Sequence, residues 1–186
     1  DLAPASEPVS LSEMKLHLKM NDIDTDDTLI SSLITAARLS CEKYTNMGFI
    51  NQTWTFAADR WQPVYYLNKY PVSAVNSVKY YDRSDNTLQT LASTQYDVDL
   101  QNSPIRIARA WNVTYPELYT RINAVEIEVE VGYTNAAAVP DDIKAAIKLL
   151  AAHLYEHRES VITGTIVNEL PMGVKYLLSN YKSFAW

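Results

Sequence analysis

The spacing of apolar residues changes twice along this chain, and that change constrains the fold more than any other feature. Leu11, Met14 and Leu18 recur at helical spacing, and Leu29, Ile30, Leu33, Ile34, Ala37, Cys41 and Tyr44 mark one stripe of a longer helix. From about Ile50 to Tyr133 the period becomes two. Thr53-Trp54-Thr55-Phe56, Tyr96-Asp97-Val98-Asp99-Leu100, Ile105-Arg106-Ile107 and Val125-Glu126-Ile127-Glu128-Val129-Glu130-Val131 all alternate, as antiparallel strands with one buried and one wet face do. Val75 to Tyr81 and Thr87 to Leu91, joined by Asp82-Arg83-Ser84-Asp85-Asn86, read as a hairpin with a polar loop. Ile143, Ile147, Leu150 and Leu154 then restore the helical period, and Val174, Leu177, Leu178 and Tyr181 continue it. The pattern predicts an α+β fold. A small helical bundle forms from residues 1–49 and 136–186, the C-terminal part packing on the N-terminal part, with residues 50–135 inserted as an antiparallel β subdomain.

Local signals agree with this partition. Ser10 and Glu13 have capping-box spacing ahead of the first helix. The acidic run Asp22 to Asp27 suits the positive end of the second helix dipole, and Asn46 and Gly48 are stop signals. Val139-Pro140-Asp141-Asp142 and Leu170-Pro171-Met172-Gly173 each place a proline where a helix begins.

Composition excludes several functions. Of 186 residues 47% are hydrophobic and 20% charged, which is ordinary for a globular chain able to bury a core without disulfides or metals. No run of about 18 apolar residues can cross a bilayer, and Asp1 to Pro4 carries no basic-then-apolar leader, so neither membrane insertion nor an export signal is expected. A lone cysteine, Cys41, rules out an internal disulfide and fits a reducing cytoplasm. Sixteen Lys and Arg stand against 22 Asp and Glu, a net charge of -6, and the basic residues are scattered. Grip on nucleic acid needs clustered cations, so this surface suits a passage for DNA better than a DNA-binding module.

Catalytic motifs do not hold up. His153-Leu154-Tyr155-Glu156-His157 has the form of an inverted zinc protease motif, but a helical wheel sets His157 beside the Ile143/Leu150 stripe with Glu156 pointing elsewhere. A third ligand would have to come from Glu159 or Glu169, and two histidines bordering a packed helix are the simpler reading. The aspartates at 22, 24 and 26 imitate a calcium loop, but Asp27 and Leu33 stand where its glycine and glutamate belong. Cys41 lies in an apolar stripe, and four glycines leave no phosphate-cradling loop. No catalytic residue, metal or cofactor is therefore expected. Glu126, Glu128 and Glu130 share one strand face, as a water-facing or channel-lining row would. The 13 tyrosines and four tryptophans suit protein interfaces as well as a β core, and adjacent pairs such as Tyr65-Tyr66 should send one ring to each face.

Several stretches resemble one family in order along nearly the whole chain. They are Pro4 to Leu18 (PASEPVSLSEMKLHL), Asp26 to Arg38 (DDTLISSLITAAR), Glu42-Lys43-Tyr44-Thr45, Gln52-Thr53-Trp54, Val139 to Ile147 (VPDDIKAAI), Ala152 to Glu159 (AHLYEHRE) and Leu170 to Lys182 (LPMGVKYLLSNYK). The family is the head–tail connector, adaptor or head-completion proteins of long-tailed bacteriophages and gene transfer agents, in the version with a central β insertion. The resemblance implies a structural virion subunit that assembles in the host cytoplasm and resides in the neck. There it forms a ring, dodecameric in the particle, that sits below the portal, extends the DNA channel without binding DNA specifically, and meets a downstream neck or tail protein. A subunit that is monomeric in isolation is compatible with that role. By the same analogy the C-terminal Tyr181, Phe184 and Trp186 contact the portal. Competing readings are another neck or tail-completion protein, a ligand-binding β module using exposed Tyr and Trp, and a metal-dependent hydrolase.

Overall fold

Helix α1 (Leu11–Leu18) begins where its capping box predicts: Ser10 Oγ accepts from the Glu13 N–H at 3.2 Å while the Ser10 N–H donates to Glu13 Oε2 at 2.7 Å. The structure, a computed structural model, describes residues 4–20, 24–157 and 170–182. Helix α2 (Asp27–Thr45) ends at Asn46, whose left-handed φ of 58° is the stop geometry that asparagine tolerates. Helices α3 (Asp141–Glu156) and α4 (Met172–Leu178) follow prolines, which need no N–H partner at a first turn.

Within the described residues, Asn51–Gly132 form one compact unit, and Ala5–Ile50 with the residues from Tyr133 onward form another. The helical unit closes over Ile30, Ile34, Ala37 and Cys41 of α2, Ile143, Ala146, Ile147 and Leu150 of α3, and Val174 and Leu178 of α4. Val9, Met14, Phe49 and Ile50 complete this core. Each such aliphatic side chain contributes about 1.5–3 kcal/mol by leaving water.

The β unit has seven strands: β1 (Gln52–Ala58), β2 (Val64–Leu67), β3 (Val72–Tyr81), β4 (Leu88–Thr90), β5 (Tyr96–Asp99), β6 (Ile105–Arg109) and β7 (Val125–Val131). They form an antiparallel sheet in the order β1-β7-β3-β4 and a second in the order β2-β6-β5. Their inner faces share one core. Val72, Val78, Val125, Ile127, Val129 and Val131 come from the first sheet and Tyr65, Leu67, Tyr96, Ile105 and Ile107 from the second. The expected split of Tyr65 and Tyr66 is present, at 8% and 60% exposure. Strand β2 escapes the alternation rule because Val64-Tyr65-Tyr66-Leu67 has no polar residue to mark its outer face.

Candidate functional site

The acidic row stands on the strand whose alternation is strictest. In β7 the residues Val125, Ile127, Val129 and Val131 are buried and Glu126, Glu128 and Glu130 between them are half-buried on the opposite face. Register sets their neighbours: Glu130 lies between Thr53 and Ala74, Glu128 between Thr55 and Ser77, and Glu126 between Ala57 and Lys79. Small, mostly uncharged side chains flank the row. Lys79 Nζ, 3.3 Å from Glu128 Oε2, is one cation against three carboxylates. Residues two apart on a strand are roughly 7 Å apart, so the row presents a short negative strip rather than a carboxylate pair sharing a proton. Such a strip can repel phosphate and has no geometry for general acid–base work.

The C-terminal candidates divide. Tyr181 closes a 3-10 turn (Ser179–Tyr181) and packs half-buried against the helical core, where burial raises its hydroxyl pKa and the Asp142 charge adds to the effect. Phe184 and Trp186 lie outside the described residues. Sequence reasoning passed over Met172 and Tyr176, one helical turn apart on α4 and 86% and 80% exposed. Their signal was present, since a wheel that buries Val174 and Leu178 turns both outward. Trp111 was passed over too. It is 95% exposed in the turn Ala110 to Val113, beside Asn112 with its left-handed φ of 59°.

The histidine pair corrects the wheel. His153 and His157 rings meet edge to face with centroids 4.6 Å apart, but His157 is exposed rather than beside the Ile143/Leu150 stripe. Helix α3 ends at Glu156, and the φ of -109° and ψ of 69° at His157 turn it away from the face that an unbroken helix would give it. Glu159 and Glu169 lie outside the described residues, and among those described no three His, Cys, Asp or Glu are grouped for a metal. Cys41 is fully buried, and burial, helped by the Glu42 charge, pushes its thiol up to about 12. A thiol held protonated is no nucleophile. The acidic turn is also committed elsewhere: Asp24 and Asp27 lie 2.5 and 2.9 Å from Lys15 Nζ, and Asp26 accepts from the Tyr155 hydroxyl at 2.5 Å.

A profile of the family described as "Head completion protein" matches residues 8–184. No curated protein sequence matches the chain. Among solved structures, a chain from "Virion of native gene transfer agent (GTA) particle" is similar with a TM-score of 0.80 at 23% identity, covering 100% of this chain and 96% of that one. A chain from "Neck of empty GTA particle computed with C6 symmetry" is similar with a TM-score of 0.75 at 21% identity, over 100% and 96%. A third, from "Neck of native GTA particle computed with C12 symmetry", gives a TM-score of 0.69 at 23% identity, over 100% and 97%. At these identities the likeness establishes a shared fold.

Proposed function

Because this chain belongs to the head completion protein family, we propose that it is a structural, non-enzymatic subunit of the neck of a phage-like particle, joining head to tail as part of a ring. The family match across residues 8–184 is the observation that carries this reading. Solved necks with the same fold, described with C6 and C12 symmetry, support ring assembly, with twelve copies as the proposed number in the particle. A ring of identical subunits uses one head-to-tail contact repeated about an axis, so each copy needs two different sticky surfaces. Leu16, Leu39, Leu149, Met172 and Tyr176 of the helical unit, and Tyr66, Trp111 and Ile122 of the β unit, supply exposed apolar surface for such contacts.

The proposed partners are further copies of this chain, the portal protein above and a neck or tail protein below. Tyr181, Phe184 and Trp186 are assigned to the portal. Glu126, Glu128 and Glu130 are assigned to the wall of the DNA passage, where charges within about 8 Å of a phosphate act on it before salt screens them. Mixing the chain with its portal and imaging the product tests the reading directly. A ring stacked on the portal is expected; free portal beside unassembled chain overturns it. Truncation after Lys182 keeps Tyr181 on its core and should lower docking by removing Phe184 and Trp186. Charge reversal of the three glutamates to lysine should slow DNA passage without preventing ring formation, and unchanged passage removes them from the wall.

A further inference from the structure

A cavity of about 330 Å³ opens in the β unit, lined by Trp61, Gln62, Pro63, Arg109 and Tyr115. That volume is at the lower end for ligand pockets and fits one ring with its substituents. The walls are fastened before any ligand arrives. Trp61 Nε1 donates to the Pro116 carbonyl at 2.8 Å, and its ring packs on Tyr115 with centroids 4.2 Å apart and on Tyr80 at 5.8 Å. The Tyr65 hydroxyl accepts from the Gln62 N–H and donates to the Arg60 carbonyl, both at 3.2 Å, which holds the turn carrying Gln62 and Pro63. Arg109 ends β6 opposite Tyr96, and the next N–H, that of Ala110, donates to the Gln95 carbonyl at 3.1 Å.

Three polar groups at this cavity make no hydrogen bond, although the Tyr115 hydroxyl feels both the Arg109 charge and the Asp97 carboxylate. Among the described residues the Arg109 guanidinium makes no hydrogen bond or ion pair, and neither the Gln62 carboxamide nor the Tyr115 hydroxyl makes a hydrogen bond. In the same unit Arg83 pairs with Glu117, Arg106 with Asp99, and Arg121 covers the Tyr81 ring, while Arg60, like Arg109, has no side-chain partner among the described residues. We infer that the cavity is a binding site for a carboxylated sugar ring, a uronic-acid unit of an acidic saccharide. A planar guanidinium matches a carboxylate with two parallel hydrogen bonds. The carboxamide and the phenol each donate and accept, as sugar hydroxyls require. Trp61, Tyr115 and Pro63 in the lining supply apolar surface for the C–H groups of a pyranose. A proline-bearing peptide fits less well, because the indole N–H that would meet a peptide carbonyl is already bonded to Pro116. On a chain with a net charge of -6, a free arginine at an aromatic wall selects an anion locally that the whole surface repels.

The site is tested on the full chain in solution. Oligogalacturonate, its methyl ester and citrate are titrated separately while NMR follows the Trp61 indole N–H, assigned by its loss in Trp61→Phe. Oligogalacturonate should shift that signal saturably, with the ester and citrate each binding about 10-fold or more weakly, the worth of a charge-assisted hydrogen bond and of the lost ring contacts. Arg109→Ala should weaken oligogalacturonate by about 10-fold or more and Gln62→Ala by about 3-fold. Both side chains are exposed, so both variants should melt with the parent chain, and Trp111→Phe should bind as the parent does. No saturable shift at millimolar oligogalacturonate, equal binding of citrate, or undiminished binding by Arg109→Ala each overturns the assignment.

Discussion

The two units solve the problem of register in different ways. Every buried charged residue among those described, Lys15, Arg38 and Glu42, lies in the helical unit, and the core of the β unit is apolar apart from tyrosine hydroxyls. A helix satisfies its own backbone, so nothing in its ladder fixes how it slides or rotates against a neighbour. Here ion pairs do that. Arg38 Nε lies 2.7 Å from Glu7 Oε2 and its Nη1 2.7 Å from Glu42 Oε2, while Glu42 Oε1 accepts the Phe49 N–H at 2.8 Å. One guanidinium thereby ties the segment before α1, the middle of α2 and the turn after α2. Strands are held by each other's backbones, and one step of slip would turn every side chain of β7 to the wrong face. The sheet needs no buried charge to know its place.

This contrast is broken most directly at Arg38. Arg38→Ala leaves Glu42 and Glu7 without their cation and should cost about 3–5 kcal/mol in denaturant unfolding. Joint replacement, Arg38→Met with Glu42→Gln and Glu7→Gln, should recover most of that loss, because it removes the cation and both carboxylates together while a glutamine oxygen at 42 can still accept the Phe49 N–H. A single-variant loss below about 1 kcal/mol would show that the network does not set the bundle. Its counterpart in the β unit is Ile127→Ala, which removes a fully buried side chain from the central strand and should cost about 2–5 kcal/mol through the cavity it leaves. No second substitution should rescue it by charge.

The same contrast explains what could be read from the sequence. The β7 alternation and the stripes of α2 and α3 are local patterns that burial imposes, so the acidic row and the helical core were both legible. The Arg38–Glu42 pair was also there to be read, four residues apart on one helix face, but Glu7 is 31 residues from Arg38 and no periodicity announces it. The Trp61–Tyr115 contact spans a wider gap and joins two irregular segments, where side chains follow tertiary packing instead of a repeat. Strand β2 was left undefined and the end of α3 was misread for one reason: a period describes residues inside an element and says nothing of where a short apolar strand begins or a helix stops. The assignment of Tyr181, Phe184 and Trp186 to the portal came from family likeness alone.

A smaller effect tests whether the helical unit also depends on local caps. Ser10→Ala removes the oxygen that accepts the Glu13 N–H and should cost about 1 kcal/mol. Ser10→Asp should keep most of the stability, since a carboxylate caps as well and favours the dipole. If both variants melt as the parent does, α1 is held by Met14 and Lys15 and its capping box is dispensable.

The least effect is expected where the β unit does carry an ion pair, at its surface. Asp99 on β5 is held at a pKa of about 2 chiefly by Arg106 on the paired β6, with Asn102 and the Gln101 N–H adding to it. Its folded pKa is depressed, so the stabilisation is present above the unfolded value near pH 4 and is lost as the pH falls through about 2. The pair is solvent-exposed, and water screening leaves little of that shift as stability. Arg106→Ala should therefore raise the Asp99 midpoint towards the ordinary carboxylate range, read by carboxyl NMR, while hardly moving the neutral-pH melting temperature. A large loss of stability from Arg106→Ala would mean that the sheet, like the bundle, takes its register from charge, and the difference between the two units would disappear.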